Sequence, residues 1–441
     1  MLLNIMFSRR AIMRILLYKA RKKTLFSLLE PIIVEPLELE YVKTALVDHD
    51  VTLLDDMFHN ESLKNHMKKH VYDAVVLNGY VTAEDTMLRL STFIKAVYPQ
   101  TKVMVSGVHV QLNSEVFQVP SIDAVIKTQS LEAFKLFIEL KELQGQKIDG
   151  IDYQIDNKWI IGDDLKLEQM EDTLPERTIF NTYKKKLWYM DKQGVAMVKR
   201  SVSCPYECSF CYCKMLNQGL YLKRSFDDMF KEMEPLDTNV FWIIDDTLLV
   251  NEKDAKAFIE ASHKYGFSGQ IIAYLRSDFI HGHEGLLADL KEAGLKEVII
   301  GFESIYDKTL KDYNKGITQI DNIQTVSLLR TYGIKLTPLF MVGLDYTLKD
   351  FKALRQFIKT QKLDLFTLSI WTPMKGTPDY TKYASQLDTI PSSHFDFLHA
   401  VLPPEQMSKM QFYWECIKIY LLLLSKKRVQ KVVLRRLRSI L

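Results

Sequence analysis

The sequence predicts an α/β chain with two parallel-sheet regions, an open sheet and then a partial (β/α)6 barrel, followed by a helical extension. Three observations carry this. Short apolar runs alternate with longer segments of helical period from Met13 to about Leu143, and again, more regularly, from Val195 onward; strict alternation of strands and helices implies parallel pairing. In the second region Cys204, Asp245 with Asp246, Arg276, Glu303 and Thr372 each stand at the carboxyl end of an apolar strand, the end at which a parallel barrel builds its site. Past Pro391 the alternation stops. The expected domains are 1–150, a hairpin and linker over 151–190, the barrel over 191–385 and the extension over 386–441.

Composition sets the limits. With 441 residues and 47% hydrophobic side chains the chain has enough apolar surface for two or three cores. Lysine and arginine exceed aspartate and glutamate by only 58 to 55, which argues against a nucleic-acid partner. The opening residues interleave charge with apolar side chains and lack a small-residue cleavage site, against a signal peptide, and Met13 is a natural start. No run reaches the roughly eighteen uncharged apolar residues of a membrane span.

In order, MRILLY, DVTLLD, YDAVVLNGY, TKVMVSG and DAVIKT are the strands of the first region. Glu84 to Tyr98 is a helix with Met87, Leu88, Leu90, Ile94 and Val97 on its apolar face, closed by Pro99. An open parallel sheet places its ligand crevice beyond the carboxyl ends of the strands, which points to Asn78, Gly79, Tyr80, Gly107 and His109. Residues 151–162 form a hairpin around Asp156-Asn157, and the acidic connector EDTLPERTIF follows as a link between domains. The barrel strands are AMVKRSVS, NVFWIIDD, QIIAYLRS, KEVIIGFES, IKLTPLFMVG and DLFTLSIWTP, with helices from about Phe226, Glu252, Glu284, Ile320 and Thr347. Six units make the barrel partial, since eight take about 250 residues.

Four of the five cysteines fall within ten residues, in SVSCPYECSFCYCK. Near neighbours cannot staple distant parts of a fold, so a metal site in a reducing cytoplasm fits better than disulfides. Cys204, Cys208 and Cys211 can hold three corners of a [4Fe-4S] cluster and leave the fourth iron open. Zinc with Cys213 as a fourth ligand is the alternative, although structural zinc sites usually pair two separated knuckles. Asp245 and Asp246 are either pocket residues or the cap of the helix that follows. Arg276 and Glu303 either bind a ligand or pair with each other, and Thr372 to Thr377 is either part of the site or a tight turn.

The cysteine loop with Phe210, then KRSFDDM, IIDDTLL, YLRSDFI, GFESIYDKTLKDYNKGIT, MVGLDYTLKDF and TPMKGTPDY, resembles in order the motifs of radical SAM enzymes of the cobalamin-associated class, over roughly Val195 to Tyr383. EPLELEY, DVTLLD and VSGVHV extend a weaker resemblance to the Rossmann-like cobalamin-binding domain that precedes the TIM-type barrel in that class. The resemblance implies a [4Fe-4S] cluster on Cys204, Cys208 and Cys211, S-adenosylmethionine held by Phe210, Arg276, Glu303 and Thr372, and pocket or catalytic roles for Asp245, Asp246 and Arg276. It implies cobalamin near Asn78, Gly79, Gly107 and His109. Gly107-Val108 replaces the paired glycine of the class, and the Asp-x-His-x-x-Gly signature is absent, so a domain kept for packing is the alternative.

The activity implied is methyl transfer to an unactivated carbon. A radical cyclase, oxidase or rearrangement enzyme and a non-catalytic zinc-stabilised binding protein are the alternatives. The implied partners are a small-molecule or lipid-like substrate and an electron donor such as flavodoxin or ferredoxin. In the extension, Phe412 to Leu424 is strongly apolar, and the following helix sets Val429, Val432, Val433, Leu437 and Leu441 against a basic face. That helix either lies on an anionic membrane, making the protein membrane-associated, or packs on the barrel.

Overall fold

The computed structural model describes residues 12–22, 31–59, 61–140 and 143–440, with side chains as far as Arg435. The opening segment and the Leu437 and Leu441 side chains lie outside the described residues. Two compact units result: residues 12–22, 36–167 and 171–179 form one, and 31–35, 168–170 and 180–440 the other.

In the first unit the strands lie in the order Asp50–Asp55, Arg14–Lys19, Ala74–Asn78, Lys102–Ser106 and Ala124–Ile126, all parallel. Ile15, Leu16, Leu17, Val75, Val76 and Leu77 are wholly buried, as expected of continuous apolar runs covered on both faces. The order reverses between Arg14–Lys19 and Ala74–Asn78, and such a switch point opens a crevice beyond the strand ends. The predicted helix spans Glu84–Val97, stopping before Pro99 as the pre-proline restriction requires. The hairpin Ile151–Ile155 and Lys158–Ile160, turning at Asp156 and Asn157 with φ of 48° and 61°, is an antiparallel edge of this sheet. It therefore belongs to the first unit and not to a linker.

The second unit is built on a half-barrel sheet of six parallel strands in sequential order: Ala196–Val198, Val240–Ile243, Gln270–Leu275, Leu295–Glu303, Lys335–Val342 and Thr367–Ile370. Ser225, Asn251, Thr318 and Thr347 cap the helices Phe226–Met233, Glu252–Lys264, Gln319–Thr331 and Leu348–Thr360, each side chain accepting a backbone N–H of the first turn. Asn251, not Asp245 or Asp246, is the cap after the second strand. The first strand is shorter than its apolar run, because the Asp245 carboxylate accepts the N–H groups of Arg200 (2.6 Å) and Ser201 (2.9 Å). Ser201–Val202 then pairs with Leu222–Lys223 in a separate ribbon.

The amino ends of the strands form a floor. Arg428, on the helix Lys427–Ile440, donates to Asp191 (2.8 Å) and to both oxygens of the fully buried Glu297 (2.9 and 3.0 Å). Arg435 donates to the Met190 carbonyl (2.8 Å) and lies over the Trp188 ring, while Val432 is buried. Of the two expectations for this helix, packing on the barrel is the one seen: two of its cations, Arg428 and Arg435, are committed to the barrel floor. Among the described residues no helix is long and apolar enough to cross a membrane.

Candidate active site

At the opposite, carboxyl end of the half-barrel, the loop after the first strand carries Cys204, Cys208, Cys211 and Cys213, all free thiols of intermediate exposure. The turn after the fourth strand fixes this loop. Ser209 N–H donates to the Tyr313 carbonyl (3.1 Å), and the Asn314 side chain to the Glu207 carbonyl (2.8 Å). Cys211 N–H donates to the Cys208 carbonyl (3.1 Å), closing a tight turn between two of the thiols. The Phe210 and Tyr313 rings meet edge to face, 5.2 Å apart.

Two cations converge on Cys208. A guanidinium nitrogen of Arg276 lies 4.0 Å from its sulfur, and the same group stacks 3.9 Å over Tyr206 and pairs with Asp278 at 2.9 Å. Arg276 also donates to the Lys315 carbonyl, and Lys315 Nζ reaches Glu303 Oε1 at 2.9 Å. The alternative in which Arg276 and Glu303 pair with each other is not what is seen: Arg276 pairs with Asp278 and Glu303 with Lys315. Burial alone would lower the Lys315 ammonium; Glu303 and the Cys208 sulfur more than offset it, keeping it charged. Burial pushes the Cys204 thiol up to about 11. Cys208 is raised for the same reason, with Lys315 and Arg276 pulling against it, which is how nearby cations favour a thiolate.

Glu303 is held in a rare conformation. Its φ is 55° and the strand bulges between Gly301 and Glu303, so the carboxylate curls back over Gly301. A Cβ at Gly301 would lie 2.0 Å from Glu303 Oε1 and 2.8 Å from Lys315 Nζ; only glycine leaves the pair its room. A non-glycine residue at positive φ costs about 1–3 kcal/mol and tends to occur where function demands it.

The remaining predicted residues separate. Asp246 is exposed and hydrogen-bonds the Cys213 thiol, placing it beside the cysteine loop. Asp245 points the other way, is 1% exposed, and serves as a clasp on the backbone of Arg200 and Ser201; it does not reach the thiols' side. Thr372 is buried and donates its hydroxyl to the Ile370 carbonyl (2.9 Å), a bond local to the strand's end. Lys315, Tyr206 and Tyr313 were not singled out from the sequence. The signal was a lysine twelve residues past Glu303 in NKG and an aromatic inside the cysteine loop.

In the first unit Asn78, Gly79 and Gly107 do stand together at the sheet's carboxyl edge. Gly107 has φ of 114°, and a Cβ there would come 2.9 Å from Asn78 Nδ2. The Asn78 amide is bound on both sides, accepting from the buried Lys19 (2.7 Å) and donating to Ser106 (3.3 Å). Gly79 is packed by the start of the helix that follows, since a Cβ there would come 2.9 Å from Ala83 Cβ, and the exposed Tyr80 ring comes next, with Lys19 Nζ 4.1 Å from its centre. His109 is different: Nε2 lies 2.6 Å from the Glu84 carboxylate and Nδ1 3.3 Å from the Asn113 amide. Both ring nitrogens are engaged within the unit.

Three thiols on one short loop, opposed by two cations and backed by an ammonium–carboxylate pair, fit the needs of an anionic thiolate-held cluster. They are not closed on a point: among the described residues no three His, Cys, Asp or Glu side chains assemble a single-ion site. A parallel half-barrel with cysteines at its carboxyl mouth defines the class. Residues 198–358 match the model of the Radical SAM superfamily, and the chain carries a radical SAM domain.

Among curated proteins, the chain is 23% identical over 259 residues to the hopanoid C-3 methylase of Methylococcus capsulatus, covering 59% of this chain and 50% of that protein. It is 20% identical over 381 residues to the anaerobic magnesium-protoporphyrin IX monomethyl ester cyclase of Cereibacter sphaeroides, covering 82% and 61%. It thus spans half to three fifths of the length of these relatives. The solved structure of the radical S-adenosylmethionine methyltransferase TsrM from Kitasatospora setae, with cobalamin and a [4Fe-4S] cluster bound, superposes with a TM-score of 0.66 at 16% identity, covering 86% of this chain and 76% of that one. That similarity establishes the fold.

Proposed function

We propose that this protein is a radical SAM enzyme that uses a [4Fe-4S] cluster, S-adenosylmethionine and cobalamin to methylate an unactivated carbon. The observation that carries the reading is the meeting of Cys204, Cys208 and Cys211 with Arg276, Lys315 and Glu303 at one strand-end mouth, inside the residues that match the superfamily. A cluster bound at that mouth would pass on the electron that cleaves the sulfonium, and cobalamin bound at the first unit's sheet edge would provide a methyl carrier.

The three cysteines hold the cluster, which leaves one iron without a protein thiolate. Arg276 and Lys315 favour the thiolate forms by their charge. Lys315 and Glu303 present an ammonium and a carboxylate side by side, complementary to the carboxylate and ammonium of an amino acid such as the methionine part of S-adenosylmethionine. Phe210, held by Tyr313, offers a flat apolar face to the nucleoside. Asp245 fixes the root of the loop, and Asp246 lines the approach beside Cys213. In the first unit Asn78, Gly79 and Gly107 form the corrinoid-facing edge, and His109, committed to Glu84 and Asn113, contributes packing and not a cobalt ligand.

Methylation is supported by the hopanoid methylase among the relatives and by the cobalamin in TsrM. The cyclase, whose match covers 82% of this chain, supports a radical cyclisation or oxidation as the second reading. The substrate is a small molecule, lipid-like on the hopanoid analogy, and a flavodoxin or ferredoxin is the proposed electron donor. Anaerobic reconstitution, metal analysis for iron and cobalt, and incubation of an extract with methyl-deuterated S-adenosylmethionine and a reductant test the reading. A product carrying the labelled methyl group supports it. Cleavage without transfer favours the second reading, and iron without cobalamin, even when supplied, removes the methyl relay.

A further inference from the structure

The helix Lys409–Tyr420 and the turn Leu421–Leu423 that continues it bury one face and leave another bare. Phe412, Cys416 and Ile419 are buried on the inner side. Met410, Trp414, Ile417, Leu421 and Leu424 recur at intervals of four, three, four and three residues, the spacing of a single stripe, and are 45–83% exposed. Soluble proteins scatter exposed apolar residues singly; a continuous stripe of five, one of them tryptophan, marks a contact surface.

Charge says which contact. Lys409 opens the stripe and Lys427 closes it, next to a Lys426 that lies 3.8 Å from Asp364. From Cys416 to Leu441 the sequence holds eight lysines and arginines and no aspartate or glutamate. Arg428 and Arg435 are spent on the barrel floor, and Lys418 pairs with Glu415, but Lys409, Lys427 and Lys431 are exposed. A second copy of the chain would set these lysines against one another across a twofold interface, where like charges repel. An anionic bilayer surface complements both features, since tryptophan and long aliphatic side chains enter the headgroup boundary while flanking lysines reach the phosphates.

We infer that the stripe Met410–Trp414–Ile417–Leu421–Leu424 is a peripheral docking face for an anionic lipid surface. Its apolar part lies on the helix and turn before the basic helix, whose exposed Lys427 and Lys431 supply flanking charge, and it stands independently of the reaction at the barrel mouth.

The test is co-sedimentation of the full chain with phosphatidylcholine vesicles, with and without phosphatidylglycerol, and light scattering without lipid. The chain should pellet with the anionic vesicles alone and be released by salt. Trp414→Glu with Leu421→Glu, and separately Lys409→Glu with Lys427→Glu, should each weaken binding about tenfold or more, with circular dichroism and melting unchanged. Absence of pelleting, pelleting indifferent to both variants, or a dimer that Trp414→Glu with Leu421→Glu dissociates would each overturn the inference. Because no step depends on the cofactors, a failure here leaves the catalytic reading intact, and a missing cluster leaves this one intact.

Discussion

The two ends of the half-barrel use the same chemistry to opposite ends. At the floor, Arg428 meets Glu297 and Asp191 through well-formed hydrogen bonds, and Thr337 adds its hydroxyl to Glu297 at 3.1 Å. Every formal charge there has an opposite neighbour, and the result is a fixed base. At the mouth, Arg276 and Lys315 also have carboxylate partners, yet both face Cys208 as well, and Glu303 is held at a positive φ to take part. On the proposed reading, the floor's charges close a structure and the mouth's charges receive a ligand.

The largest effect should come from emptying the mouth. Replacing the pair with Glu303→Gln and Lys315→Met keeps the shape and removes both charges, so stability should change little, whereas S-adenosylmethionine cleavage should fall about a hundredfold or more. Unchanged cleavage with a lower melting temperature would make this pair structural and erase the contrast.

The floor should respond in reverse. Arg428→Met strands Glu297 and should cost about 3–5 kcal/mol, read as a lower melting temperature, with iron content after reconstitution unaltered. A smaller cost, about 1–3 kcal/mol, is expected for His109→Ala, which leaves Glu84 and Asn113 without the ring; cobalamin uptake should persist. Uptake abolished in a folded variant would restore His109 as a ligand.

The smallest effect concerns pH. Burial pushes the Asp191 carboxyl up, but its hydrogen bond and charge interaction with Arg428 prevail and leave it below the ordinary carboxylate value. A depressed carboxylate contributes stability that is complete above its unfolded pKa, about 3.9, and is lost as pH falls through the lower folded value. The stability gap between the wild type and Asp191→Asn should therefore hold near neutrality and close below about pH 4. A gap that persists in acid would remove Asp191 from the floor's charge account.

What could be read from the sequence follows the same divide. Apolar runs ending in functional side chains were enough to place six strands, since burial on both faces leaves a continuous pattern. Cysteine spacing picked out the loop. The first strand was read too long because one side chain, Asp245, ends it by taking two backbone donors from a distant stretch. Asp245 and Asp246 look alike in sequence, but past the strand's end one takes the backbone of Arg200 and Ser201 and the other the Cys213 thiol. Lys315 escaped notice because a bulge and a glycine twelve or more residues earlier turn Glu303 toward it. The floor could not be read either: it joins Asp191, Glu297 and Arg428, whose separation in sequence gives no periodic signal. The hairpin was recognised as a hairpin, but which sheet it joined depended on the edge left open by Ala124–Ile126.

The central claim is that the cysteine loop holds a cluster with one open iron. Anaerobic iron and sulfide quantitation, with electron paramagnetic resonance of the reduced protein before and after adding S-adenosylmethionine, tests it most directly. The account predicts about four irons per chain, a spectrum that changes on adding S-adenosylmethionine, and loss of both in a folded Cys208→Ala variant. Zinc in place of iron, or S-adenosylmethionine cleavage retained by Cys208→Ala, would contradict it.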